Sequence, residues 1–168
     1  SSGNVYTANS LANTVSKITP ASSVTTTWAS VGPAPAGIAI DSAGNVYTGN
    51  GGSNTISKVT PAGSVTTTWA TVGTTPTRLA IDALDNVYSV NQTSNTVSKV
   101  TPAGSVTATW ATVGTTPFGI VLDTSGNAYV SNVFSNTVSK ISGAATPAVA
   151  GSVAITSATT IASSTTIS

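Results

Sequence analysis

Four copies of one 41-residue unit constrain this chain more than any other feature. Asn4, Asn45, Asn86 and Asn127 stand 41 residues apart, and so do Tyr6, Tyr47, Tyr88 and Tyr129. Trp28, Trp69 and Trp110 keep the same step, as do Lys17, Lys58, Lys99 and Lys140. Residues 42–82 and 83–123 align without a gap and agree at about two-thirds of their positions. Such a chain stacks one supersecondary unit against copies of itself.

Each unit reads as four short strands divided by turn chemistry. Residues 37–41 (Gly-Ile-Ala-Ile-Asp) form a small apolar run of the kind buried on both faces. A turn at 42–45 follows, then strands at 46–50, 55–59 and 64–70, with Thr-Pro-Ala-Gly (60–63) between the last two. Prolines stand at turns, as ladder hydrogen bonding requires. No stretch carries a helical period. Four strands per unit of about 40 residues is the pattern of a β-propeller blade. A solenoid needs shorter rungs, and a sandwich does not repeat so strictly. The expected fold is therefore all-β, a propeller of four antiparallel blades at 1–41, 42–82, 83–123 and 124–143, the last partial.

The runs Gly-Ile-Ala-Ile-Asp-Ser-Ala-Gly-Asn-Val-Tyr-Thr and Ser-Asn-Thr-Val-Ser-Lys-Val-Thr-Pro-Ala-Gly resemble NHL-repeat propellers and the related YVTN-type repeats of surface-layer proteins. That resemblance covers residues 1–142. It implies the fold and leaves function open, because these families include binding modules, surface proteins and some enzymes.

Ser1 corresponds to Ser42, so the first blade is expected to lack its innermost strand. Residues 144–168 diverge from the repeat. Residues 151–158 resemble a fourth strand with Ser157 in the place of Trp69, and 165–168 fall in register with a first strand. The expectation is a split blade in which 165–168 pair beside 4–8, in the same molecule or in a neighbour. A fragment of a larger propeller is the third possibility.

Composition narrows the chemistry. The chain holds no His, Cys or Met, and only 5% of its residues are charged. Without His or Cys it offers no imidazole base, no thiol nucleophile and no zinc or copper site of the usual kind. Five Lys and Arg against four Asp and Glu give no basic patch for nucleic acid, and no apolar run approaches a membrane span. Ser and Thr make up about a third of the chain, which suits an extracellular or cell-surface protein released from a signal peptide.

The repeated residues have structural and functional readings. Asp41, Asp82 and Asp123 end the first strands and either cap the following turns or ring a cation. Trp28, Trp69 and Trp110 either wedge between blades or stack on sugars. Tyr6, Tyr47, Tyr88 and Tyr129 read as inter-blade core. Departures from the repeat point more directly to binding. Arg78 replaces Gly37 and Gly119, Phe118 stands where other units have Ala36 and Thr77, and Leu11 and Phe134 lie in loops expected on the same face. Asn91-Gln92-Thr93 is a glycosylation sequon.

These observations predict a non-enzymatic secreted scaffold, adhesin or filament or lattice subunit. The alternative is a carbohydrate- or peptide-binding propeller or, behind it, a lactonase- or lyase-like one. No metal or cofactor is expected. The expected partners are a second copy of the chain through 144–168 and glycans, with no nucleic acid and no membrane span.

Overall fold

The computed structural model describes residues 3–143 and 159–161. These fold into fifteen β-strands with no helix among them, arranged as four antiparallel sheets. Blade 1 holds β1 (Val5–Asn9), β2 (Thr14–Ile18) and β3 (Val24–Ser30). Blade 2 runs in order β4 (Pro35–Ile40), β5 (Val46–Asn50), β6 (Thr55–Val59) and β7 (Val65–Thr71). Blade 3 repeats it with β8 (Pro76–Ile81), β9 (Val87–Asn91), β10 (Thr96–Val100) and β11 (Val106–Thr112). Blade 4 comprises β12 (Pro117–Leu122), β13 (Ala128–Asn132), β14 (Thr137–Ile141) and β15 (Thr159–Ile161).

The fold is all-β and propeller-like, with β4, β8 and β12 as adjacent inner strands. Blade 1 has three strands among the described residues, β1 being its inner one. Beside β14 lies β15, where Lys140 pairs with Thr159. In blades 1 to 3 a Trp on the outer strand meets the blade's Tyr; residues 144–168 contain no Trp to fix that register. Both 151–158 and 165–168 lie outside the described residues, as does the proposed pairing of 165–168 beside 4–8.

Blades stack through two unlike faces. The front face of blade 2 presents Tyr47, Ile56, Trp69 and Ala70, and the back face of blade 3 covers it with Val87, Val100, Leu79 and Ile81. The other two junctions repeat this: Tyr6, Val15 and Ala29 meet Val46 and Val59, while Tyr88, Val90 and Val97 meet Ala128, Val130 and Ile141. Alternation along each strand makes this possible, since residues two apart share a face. Each buried Val or Ile contributes roughly 1.5–3 kcal/mol. The inner strands approach closely because Gly37 has no side chain; a Cβ there would sit 2.8 Å from Arg78 Cα. Among the described residues packing runs from blade 1 to blade 4, and these ends make no comparable contact with each other. The described blades form an arc.

A buried polar line fixes the register inside each blade. Asn50 donates through Nδ2 to Thr55 Oγ1 (3.1 Å) and Ser57 Oγ (2.8 Å), and its Oδ1 accepts from Thr48 Oγ1 at 3.0 Å. Asn91 does the same with Thr96, Ser98 and Ser89. In blade 4 Val130 stands where Thr48 and Ser89 stand, and Asn132 Oδ1 is left buried without a partner. Gly73 belongs to this line as well, for a Cβ there would lie 2.6 Å from Asn91 Nδ2.

Candidate functional site

The three aspartates are spread over three separate turns. Asp41 Oδ1 accepts from the Asn45 backbone N–H, and its Oδ2 accepts from Asn45 Nδ2 and Tyr47 Oη, at 2.7, 2.7 and 2.9 Å. Asp82 takes the same bonds from Asn86 and Tyr88, and Asp123 from Asn127 and Tyr129. Among the described residues no three acidic, His or Cys side chains gather where they could share a cation. The Asn127 donors beside Asp123 hold its carboxyl below the usual carboxylate range. Burial, and then the bonded carboxylate, push the Tyr47 and Tyr88 phenols well above their ordinary value, so they remain protonated donors.

The Trp residues are half-buried and their rings are engaged. Tyr6–Trp28, Tyr47–Trp69 and Tyr88–Trp110 meet in tilted pairs with centroids 5.0, 4.9 and 4.9 Å apart. Trp28 also lies against the turn at Gly63 in the next blade, and Trp69 against Gly104. Lysines add a cationic contact: Lys17 Nζ lies 5.3 Å from the Trp28 centroid, and Lys58 5.6 Å from both Tyr47 and Trp69. Tyr129 has no Trp in the described part of its blade and takes Lys140 alone over its ring, at 5.6 Å.

Arg78 and Phe118 come together across two inner strands. The guanidinium carbon stands 4.6 Å from the Phe118 ring centroid, while Nη1 donates to the carbonyls of Thr77 (2.9 Å) and Ala36 (3.3 Å). One side chain thus touches β4, β8 and β12. Two carbonyls hold the planar cation against an aromatic ring, and its Nε and Nη2 carry further N–H donors. Beside it a cleft of about 370 Å³ opens between Leu79, Val121, Tyr129, Ser131 and Val138. Its walls are mostly apolar. Ser131 Oγ accepts from the Gly119 N–H at 3.0 Å and retains its own proton to donate.

Leu11 and Phe134 do not line this cleft. Leu11 is fully exposed in the β1–β2 loop of blade 1. Phe134 lies in the β13–β14 loop, its backbone N–H bonded to Thr115 O, and sits over a separate shallow recess with Gln92 and Thr93. The sequon residue Asn91 is fully buried in its hydrogen-bonded line, out of reach of a glycan in the folded chain. A larger cleft of about 610 Å³ lies between blades 1 and 2, with Asn4, Tyr6 and Lys17 facing Asp41, Ser42 and Pro61. Asp85, the fourth carboxylate of the chain, takes the place of Gly44 and Gly126 at φ 60°. Its carboxylate accepts from the Ser42 N–H (2.9 Å) and Oγ (2.6 Å), bridging blades 2 and 3, and these bonds lower its pKa. The break in the repeat was the available signal.

No protein-family model matches the sequence, and no curated relative matches it. Solved structures do. The fold is similar to a catalytically inactive virginiamycin B lyase from Staphylococcus aureus, one histidine replaced by alanine, with quinupristin (TM-score 0.72, 19% identity, 84% of this chain and 50% of that one). It is also similar to selenomethionine-substituted virginiamycin B lyase from Staphylococcus aureus (0.69, 16%, 83% and 48%). A streptogramin B lyase structure matches at 0.64 and 16%, over 82% and 50%. The likeness is one of fold. This chain spans about half the length of the structures it matches.

The expectation that the protein is not an enzyme is corrected here, because these neighbours of its fold are lyases. The scaffold, adhesin and filament readings find no support among them. The error has a physical source. The acids and bases considered were those of 168 residues, and the matching structures are longer chains of which this one spans about half.

Proposed function

We propose that this chain is part of a lyase-type β-propeller and that it contributes ligand-binding residues around Arg78. The observation that carries this reading is the Arg78–Phe118 pair, the one place where a cation and a partly exposed aromatic ring meet across adjacent inner strands. Arg78 is anchored by the Ala36 and Thr77 carbonyls and needs little ordering to bind an acceptor. The chemistry suits a compact, mostly apolar ligand with carbonyl or carboxylate oxygens: the guanidinium takes the oxygens, and Phe118 and the neighbouring aliphatic wall take the apolar body.

The neighbour made inactive had lost one histidine, and these 168 residues contain none. These residues supply no imidazole, and the role proposed for them is to bind and orient. The NHL or YVTN character of the repeats belongs to the same proposal and rests on their residues. Sugar stacking is less favoured, since the Trp rings are taken up by Tyr, Lys and the adjoining turns.

Quinupristin titrated into the chain, followed by calorimetry, tests this. Saturable binding is expected, with Arg78→Ala weakening it at least about tenfold, or 1.4 kcal/mol, and Phe118→Ala weakening it less. No saturable binding, or equal affinity in the Arg78→Ala variant, overturns the proposal.

A further inference from the structure

The two ends of the arc carry unlike faces that each interior junction shows to be complementary. Val5 is 57% exposed, whereas its counterparts Val46, Val87 and Ala128 are fully buried against the preceding blade. Ile18, its cross-strand partner, is half-buried where Val59, Val100 and Ile141 are fully buried. At the other end Val138 is 43% exposed, whereas Val15, Ile56 and Val97 at the same repeat position are fully buried beneath the following blade. Val121, beside it on the front of blade 4, is 64% exposed. Among the described residues, none covers the back face of blade 1 or the front face of blade 4.

We propose that a second copy of this chain docks head to tail, the back face of its blade 1 covering the front face of blade 4. The contact continues an interface that the chain already makes three times, between Val15 and Val46, Ile56 and Val87, and Val97 and Ala128 in their packed clusters. Val5 and Ile18 present the same aliphatic row that covers each interior blade. They would close over Val138, Val121 and the Tyr129 ring with its Lys140. A contact of this kind uses two different patches, so it closes a ring or extends without limit. The ring leaves neither face uncovered, and the matched blades span about half of a lyase propeller, so two copies are the smallest ring of comparable circuit. The proposal goes beyond the ligand reading and shares a surface with it, since Val121, Tyr129 and Val138 also line the cleft beside Arg78.

Native mass of the 168-residue chain at micromolar concentration is the test. The expected species has twice the 16.4 kDa of the chain. Val5→Lys and Val138→Lys each alter a side chain that is exposed in the single copy, so both variants keep the fold, as the β-sheet circular dichroism should report. Each is expected to be monomeric alone, and an equimolar mixture to recover a dimer through the junction that neither change touches. A monomeric parent chain overturns the proposal and implies that the faces are covered otherwise, for instance by further repeats. A dimer insensitive to either substitution, or sensitive to only one of them, overturns it too, because a like-to-like contact needs only one of the two faces. Quinupristin titrated into the monomeric Val5→Lys variant, whose change lies away from the cleft beside Arg78, reads the ligand proposal apart from this one.

Discussion

Interior and terminal blades are built from nearly the same sequence, yet they differ in what their side chains meet. In blade 2 the Val46 and Ile56 positions are both fully buried, one under each neighbour. In blade 1 only the Val15 position is, and in blade 4 only the Ala128 position. The repeat encodes a two-faced slab, and burial comes from having a slab on either side. Nearest-neighbour terms of this kind govern repeat proteins, whose end units need either a polar outer face or another partner. Here the outermost described faces expose valines, Val5 in blade 1 and Val138 in blade 4.

The largest expected effect sets one repeat position against itself. Ile56→Ala should cost about 2–5 kcal/mol in denaturant unfolding, through lost burial and a cavity at the junction of blades 2 and 3. Val138→Ala, measured at dilutions where the chain is monomeric, should cost less than about 1 kcal/mol because water already reaches that side chain. Equal costs would break the distinction between interior and end.

A smaller effect comes from the departure that left Asn132 Oδ1 unpaired. Val130→Thr places a hydroxyl where Thr48 and Ser89 already donate to their own Asn. It should raise stability by about 1 kcal/mol, the net value of one satisfied buried hydrogen bond. The reverse change in blade 2, Thr48→Val, should lower it by a similar amount. A destabilising Val130→Thr would mean that the apolar contacts of Val130 in the junction outweigh the missing bond.

The smallest effect concerns acid. Ser42 donates twice to Asp85 and lowers its pKa, so the bridge between blades 2 and 3 contributes above the ordinary carboxylate pKa of about 4 and fades as pH falls through the lowered value. Asp85→Gly, which restores the residue found at Gly44 and Gly126, should flatten the acid side of the thermal midpoint against pH. Asp123 is held low in the same sense and is unchanged in both proteins, so the difference isolates Asp85. Parallel profiles would show that the bridge carries no stability.

Much of the architecture was legible because the spacing is so regular. The first-strand run at 37–41 became β4, and 46–50 and 55–59 became β5 and β6 with the same bounds. In blade 4 the strand beside β14 is Thr159–Ile161, and the segment resembling a fourth strand, 151–158, lies outside the described residues. Arg78 and Phe118 were visible as breaks in the repeat. Their stacking was not, nor was the bond from Arg78 to Ala36, 42 residues away. Leu11 and Phe134 broke the pattern equally and ended up apart from that pair.

The sequence by itself determined the blade: a 41-residue period, period-two strands and turn residues at fixed offsets specify local pairing, and local pairing needs only nearby residues. Only the tertiary structure decided which faces are covered, that Asp85 joins two blades and that Arg78 spans three inner strands. Those outcomes depend on how one slab seats on the next. Identical residues such as Val46 and Val5 meet a neighbour in one case and water in the other, and no local pattern distinguishes them.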